Sequence, residues 1–153
     1  MAPRAGDGNG STTGPEDLPE VRGVPKSPGV PNSTGGSAEA YSRFREGTRL
    51  LETGNAHAAI VSLERARELE PEKGSIREAL ARAYFRSGRI DSAREEFEKV
   101  VELDPVNDYA HFGLGMCLLR RGDRDAARGH LKLATIMRPD AEEYQAALRQ
   151  ASA

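Results

Sequence analysis

The sequence predicts an all-α protein: a solenoid of antiparallel helix pairs behind a disordered N-terminal arm. Three observations carry this expectation. Pro71, Pro105 and Pro139 stand 34 residues apart, and Gly54, Gly88 and Gly122 keep the same interval, as do Ala59, Ala93 and Ala127 and then Leu69, Leu103 and Met137. One shared period for four residue classes marks an internal repeat, and 34 is a solenoid length. Within a unit, apolar residues recur at helical steps of three and four, as at Ile76, Leu80, Ala83 and Tyr84. Finally, six of the nine Pro precede residue 32 and eight of the sixteen Gly precede residue 37.

Residues 1–37 come first in the chain. Their large apolar residues are Met1, Leu18, Val21, Val24 and Val30, with no aromatic. Ordering a chain costs about 1–2 kcal/mol per residue, and so few apolar groups cannot offset it, so residues 1–37 read as a disordered arm. Asp7-Gly-Asn-Gly-Ser opens like a calcium loop, but its twelfth position is Leu18 where a bidentate Glu is needed. Pro25, Pro28 and Pro31 have polyproline-ligand spacing, and a stiffened linker accounts for them more simply.

The folded part, residues 38–153, divides into units at 40–73, 74–107 and 108–141. Each opens with a helix that meets Gly54, Gly88 or Gly122, where a left-handed backbone ends a helix without a Cβ clash. A polar turn follows, carrying Asn55, Arg89 or Asp123. The second helix runs to Leu69, Leu103 or Met137 and stops before the Pro two residues on. Small residues (Gly47, Ala81, Gly115, then Ala59, Ala93, Ala127) alternate with bulky ones (Leu50, Tyr84, Leu118, then Leu63, Phe97, Leu131), a pattern that sets ridges into grooves. After Pro139, Asp140 and Glu143 form a capping-box spacing for a last helix at about 141–151, with Tyr144, Ala147, Leu148 and Ala151 on one stripe.

These residues resemble the tetratricopeptide repeat, whose signature places large residues at positions 4, 7, 11 and 24, small ones at 8, 20 and 27, and Pro at 32. The second unit fits with Leu80, Ala81, Tyr84, Ala93, Phe97, Val100 and Pro105, and the third with Leu114, Gly115, Leu118, Ala127, Leu131, Ala134 and Pro139. The first unit fits from Gly47 through Leu50, Ala59, Leu63, Ala66 and Pro71. It departs at Arg43 and Glu46, as an exposed first helix would allow. Arg77 and His111 stand where the family often has Trp, in a chain with none. The resemblance implies a right-handed α-solenoid.

Catalytic chemistry is not expected. His57, His111 and His130 occupy three different repeat positions and share no ligand spacing, and no H-E-x-x-H, paired C-x-x-C or phosphate-loop signature occurs. No cofactor or metal is therefore expected. Cys117 reads as a small packing residue. With 22 Lys and Arg against 24 Asp and Glu, no basic excess exists to grip nucleic acid or an anionic membrane. No apolar run approaches the roughly 18 residues of a transmembrane helix, and no signal-peptide core opens the chain. A cytoplasmic protein is expected, and the eighteen Arg to four Lys, with abundant Ala, point to a GC-rich bacterial source.

The resemblance also implies a binding surface, since in that family the first helices line a concave groove. Carried over, the first unit contributes Tyr41, Phe44, Arg45 and Thr48, with Leu51 and Glu52 beside them. The second offers Glu78, Arg82, Phe85 and Arg86, with Ala79. The third gives Tyr109, Phe112, Met116, Leu119 and Arg120, with Gly113. Five of the eight aromatics fall here, and aromatic, Met and Arg residues are those enriched at binding hot spots. Arg45, Arg82, Arg86 and Arg120 outnumber Glu52 and Glu78, and Arg suits carboxylates. The expected partner is thus a protein or peptide, apolar with an acidic component, bound by a non-enzymatic adaptor. A secretion-type chaperone, a self-assembling scaffold or homodimer and an enzyme's regulatory subunit are the alternatives. Family members that clamp the terminal carboxylate of heat-shock chaperones use Lys and Asn where this chain has Phe44 and Thr48, Asn for Ala79, and Lys and Arg for Tyr109 and Gly113, so that clamp is not expected.

Overall fold

The computed structural model describes Leu18 and residues 35–153. Seven helices follow one another, with no strand among the described residues: α1 (Gly35–Glu52), α2 (Ala56–Leu69), α3 (Gly74–Arg86), α4 (Ile90–Leu103), α5 (Asp108–Arg120), α6 (Arg124–Met137) and α7 (Glu142–Ser152). α1 packs on α2, α3 on α4 and α5 on α6. Each pair then stacks on the next, and α7 closes the row against α5 and α6.

The punctuation works as its chemistry requires. Gly54, Gly88 and Gly122 take φ of +82°, +86° and +85° after α1, α3 and α5, a region an L side chain enters only with strain. Asn55 and Asp123 cap α2 and α6 by accepting from the amides of Ala58 and Ala126. Arg89 makes no such bond at α4. The last helix departs from expectation. Asp140 does not cap it: Ala141 is the N-cap, without a side-chain bond, and the helix starts at Glu142. Tyr144 carries the junction instead, its hydroxyl donating to Asp108 Oδ2 at 2.6 Å, beside Arg138 Nε at 3.1 Å.

The core is the product of the small–large alternation. A Cβ added to Gly47 would lie 2.4 Å from Leu63 Cγ, and one on Gly115 would lie 2.5 Å from Leu131 Cγ. Both glycines are therefore required by the close approach of the second helix in their own pair. Ala59, Ala93 and Ala127 are fully buried on the other side of the same contacts. Arg43 and Glu46 are exposed on α1, as a terminal helix permits.

Two findings revise the expected arm over 1–37. Residues 35–37 belong to the first turns of α1, because the polar start of that helix is tied to α2: Ser37 Oγ donates to Glu70 Oε2 at 2.8 Å and Arg65 Nε to Glu39 Oε2 at 3.1 Å. Leu18 is fully buried and belongs to the same apolar core as the helices. The remaining arm, with the Asp7 and polyproline motifs, lies outside the described residues.

Candidate functional site

The residues assigned to the groove sit on α1, α3 and α5, the first helices of the three pairs. On α1, Tyr41, Phe44 and Thr48 are half-buried and Arg45 is exposed, with its guanidinium 5.9 Å from the Tyr41 ring centre. On α3, Glu78, Arg82 and Arg86 are half-buried while Phe85 is buried. Arg86 Nη1 donates to the Leu51 carbonyl at 2.7 Å, so this arginine also serves the C-terminal end of α1. On α5, Arg120 is exposed and lies 5.2 Å over the Phe85 ring, and Leu119 is half-buried. Arg120 over Phe85 joins α5 to α3 and leaves a cation above an aromatic face, an arrangement that holds more tightly as water is removed. None of Arg82, Arg86, Tyr109 and Arg120 is without a further partner.

Three of the nominated α5 residues are buried rather than open. Tyr109 meets Phe97 of α4 edge-on at 6.2 Å and Phe112 at 5.9 Å, and Phe112 stacks on Tyr144 of α7 at 4.7 Å. Met116 is buried beside them. Gly113 is also covered, since a Cβ there would fall 2.3 Å from Phe97 Cζ. The aromatic cluster thus holds α4, α5 and α7 together.

Burial raises the Glu78 carboxyl to about 7, with Arg82 and the Asn107 side chain opposing and Asp108 and Asp104 adding to the rise. Near neutral pH this carboxyl is therefore only partly charged.

Other chemistry-bearing side chains serve the frame. Cys117 is fully buried, and burial pushes its thiol up to about 12, outweighing Arg94 and Arg120. His111 and His130, which share no spacing in sequence, stack with ring centres 5.3 Å apart and Nδ1 atoms 3.1 Å apart. Among the described residues no three metal-ligating side chains gather. Glu96, buried on α4, receives Arg67 of α2 and Arg77 Nη1 of α3, the latter at 2.8 Å. None of these pairings follows a local pattern, because each joins residues 19 or more positions apart across a helix contact. Leu18 did carry a signal: it is the only Leu before Leu50, and Glu16, Asp17 and Glu20 surround it.

Comparison with known proteins agrees with this architecture. Two family models described as tetratricopeptide repeat match residues 50–105 and 78–142, together running over more than half of the chain. The TPR repeat-containing thioredoxin TTL4 of Arabidopsis thaliana is 34% identical over 87 residues, which is 57% of this chain and 13% of that protein. The tetratricopeptide repeat and J domain-containing co-chaperone DNJ1 of Cryptococcus neoformans is 31% identical over 94 residues, 61% of this chain and 18% of that protein. This chain therefore spans less than a fifth of either curated relative. Among solved structures, the second TPR domain of human RPAP3, in complex with the HSP70 peptide SGPTIEEVD, superposes with a TM-score of 0.73 at 17% identity, over 78% of this chain and 99% of that one. YrrB, a TPR protein with an unusual peptide-binding site, gives 0.69 at 24% identity, over 72% and 57%. The period of 34, the helix pairs with glycine turns and these matches establish that the chain belongs to the tetratricopeptide repeat family.

Proposed function

We propose that this chain is a non-enzymatic interaction module that holds a partner's apolar, acid-bearing peptide or helix against α1, α3 and α5, in the cytoplasm. The observation that carries the reading is that four arginines share one set of helices with aromatic rings, Arg45 lying 5.9 Å from the Tyr41 ring and Arg120 5.2 Å over that of Phe85. Rings supply contact area at low entropic cost, and guanidinium forks select carboxylates. The HSP70 peptide in complex with the RPAP3 neighbour, SGPTIEEVD, belongs to the same chemical class. The means of holding it differ here, since Phe44, Thr48, Ala79, Tyr109 and Gly113 replace the carboxylate-clamping set and Phe97 covers Gly113.

Paired dye-labelled peptides test this: one apolar and Glu-rich, the other identical but with Lys for each Glu. The acidic peptide binds at least about tenfold more tightly, loses its advantage at high salt, and loses it again in the Arg82→Glu, Arg120→Glu variant. Equal binding of the two peptides to the parent chain refutes the reading. Phe112→Ala is a poor probe because it opens a cavity under Tyr144.

Self-association is a second reading, favoured by Leu133 and Ile136, three residues apart on α6 and 45% and 73% exposed. Light scattering over a concentration series decides it, with a strict monomer excluding it.

A further inference from the structure

Leu18 lies 17 residues before α1, in a stretch too poor in apolar groups to build a core of its own, yet it is fully buried within the helices' apolar cluster. Open apolar side chains sit on the second helices. Val61 on α2 is 67% exposed, and Leu133 and Ile136 on α6 stay open as well. On the first helices Phe85 and Met116 are buried, and both belong to the cluster that includes Leu18.

Charge points to the same side. Residues 16–21 read Glu-Asp-Leu-Pro-Glu-Val, with three acids, no base, and Leu18 and Val21 as apolar anchors. That is the ligand chemistry the groove selects, and Arg45, Arg82, Arg86 and Arg120 are its complement. The tether is long enough. Seventeen residues can span at most about 56 Å, and α1 with its 18 residues is about 27 Å long, so the whole face lies within reach of Leu18.

We infer that the segment 16–21 is the groove's own tethered ligand, with Leu18 as its buried anchor and the acids of its sequence as the charge complement of the groove arginines. This rests on the proposed groove and deepens it. A tethered segment is present at roughly millimolar effective concentration, so a partner must displace it, and its apparent affinity falls by the fraction of chains left open. The arm thereby sets a threshold that only a better acidic-apolar ligand passes.

The test uses a dye-labelled synthetic peptide copying residues 14–23, titrated by anisotropy onto the full chain and onto two full-chain variants. One is Leu18→Asp; the other is Glu16→Gln, Asp17→Asn, Glu20→Gln, which leaves Leu18 in place should the first not fold. Helical circular dichroism is checked for each. The peptide is expected to bind the folded variants about tenfold or more tightly than the parent, and adding Arg82→Glu to a variant abolishes that binding. Equal affinity for parent and variants overturns the tethered ligand while leaving the groove intact. Failure of this peptide to bind any folded variant also overturns it, and the Glu- and Lys-bearing peptide pair then judges the groove independently.

Discussion

His111 donates its Nε2–H to the carbonyl oxygen of Pro105, 2.9 Å away and six residues earlier. The same bond recurs at the same repeat position, from Arg77 Nε to Pro71 at 2.8 Å and from Gln145 Nε2 to Pro139 at 2.5 Å. Three unlike polar side chains thus satisfy the carbonyl that each helix-ending proline leaves open, at positions where the family often places Trp. A carbonyl only accepts, so the bond assigns the proton of neutral His111 to Nε2. Its Nδ1 is left to accept from His130 Nδ1–H.

That tautomer makes the pair sensitive to acid. Burial, and then the neighbouring His111, hold His130 below its ordinary value of 6.5, with Glu98 opposing. The unfolded chain then binds more protons at this site, so stability falls as pH drops through about 6.5 and levels off below the folded value. Urea midpoints from pH 7.5 to 5 check this. The parent is expected to lose stability relative to His130→Gln on acidification. Subtracting the variant also removes the opposite drift from Glu78, whose raised carboxyl favours the folded state as pH falls from about 7 towards 4.5. Parallel curves would refute the assignment.

Gly113 faces the ring of Phe97, so any Cβ collides with three ring carbons at 2.3–2.6 Å. Gly113→Ala is expected to cost about 1–3 kcal/mol through overpacking, despite the better helix propensity of Ala. Phe97→Leu in the same chain should recover part of that loss. A double-mutant cycle by denaturant unfolding measures the recovery, and strict additivity would remove the contact from the account.

Glu96 is the buried acid that α2 and α3 share, through Arg67 and Arg77. Glu96→Ala leaves two guanidinium groups facing a void. The expected loss is about 2–3 kcal/mol, below the full figure for breaking a buried pair because Arg67 keeps access to water. Glu96→Gln, which retains acceptor and shape, should cost less than half as much by thermal or urea unfolding.

Cys117 predicts a kinetic result. Its thiol is buried and raised to about 12, so a thiol reagent at pH 8 should react with native protein far more slowly than with urea-unfolded chain, by at least about a hundredfold. Rapid labelling of native chain would show that α5 opens readily.

The repeat was legible at nearly every helix end, because its determinants are local. A proline cannot continue a helix, a glycine tolerates positive φ, and Asn55 and Asp123 reach amides three residues on. The one local signal that misled was Asp140 with Glu143: its capping-box spacing was right, yet the chain turns a residue later, where Ala141 packs in the core and Tyr144 reaches Asp108. The arginines of α1, α3 and α5 were equally legible as types at positions, since the period carries each residue of one unit onto its equivalent in the next.

What the sequence by itself determined is therefore the number and order of the helices and which residue types the first helices carry, since backbone geometry and side-chain size settle these over spans of a turn or a single repeat. The tertiary structure alone decided how the face is used. It sank Tyr109, Phe112 and Met116 into the packing of α4, α5 and α7, set Arg120 over Phe85, paired His111 with His130, and took Leu18 into the core. Each of these depends on how far neighbouring helices approach and what water they expel, and burial of that kind belongs to the assembled stack.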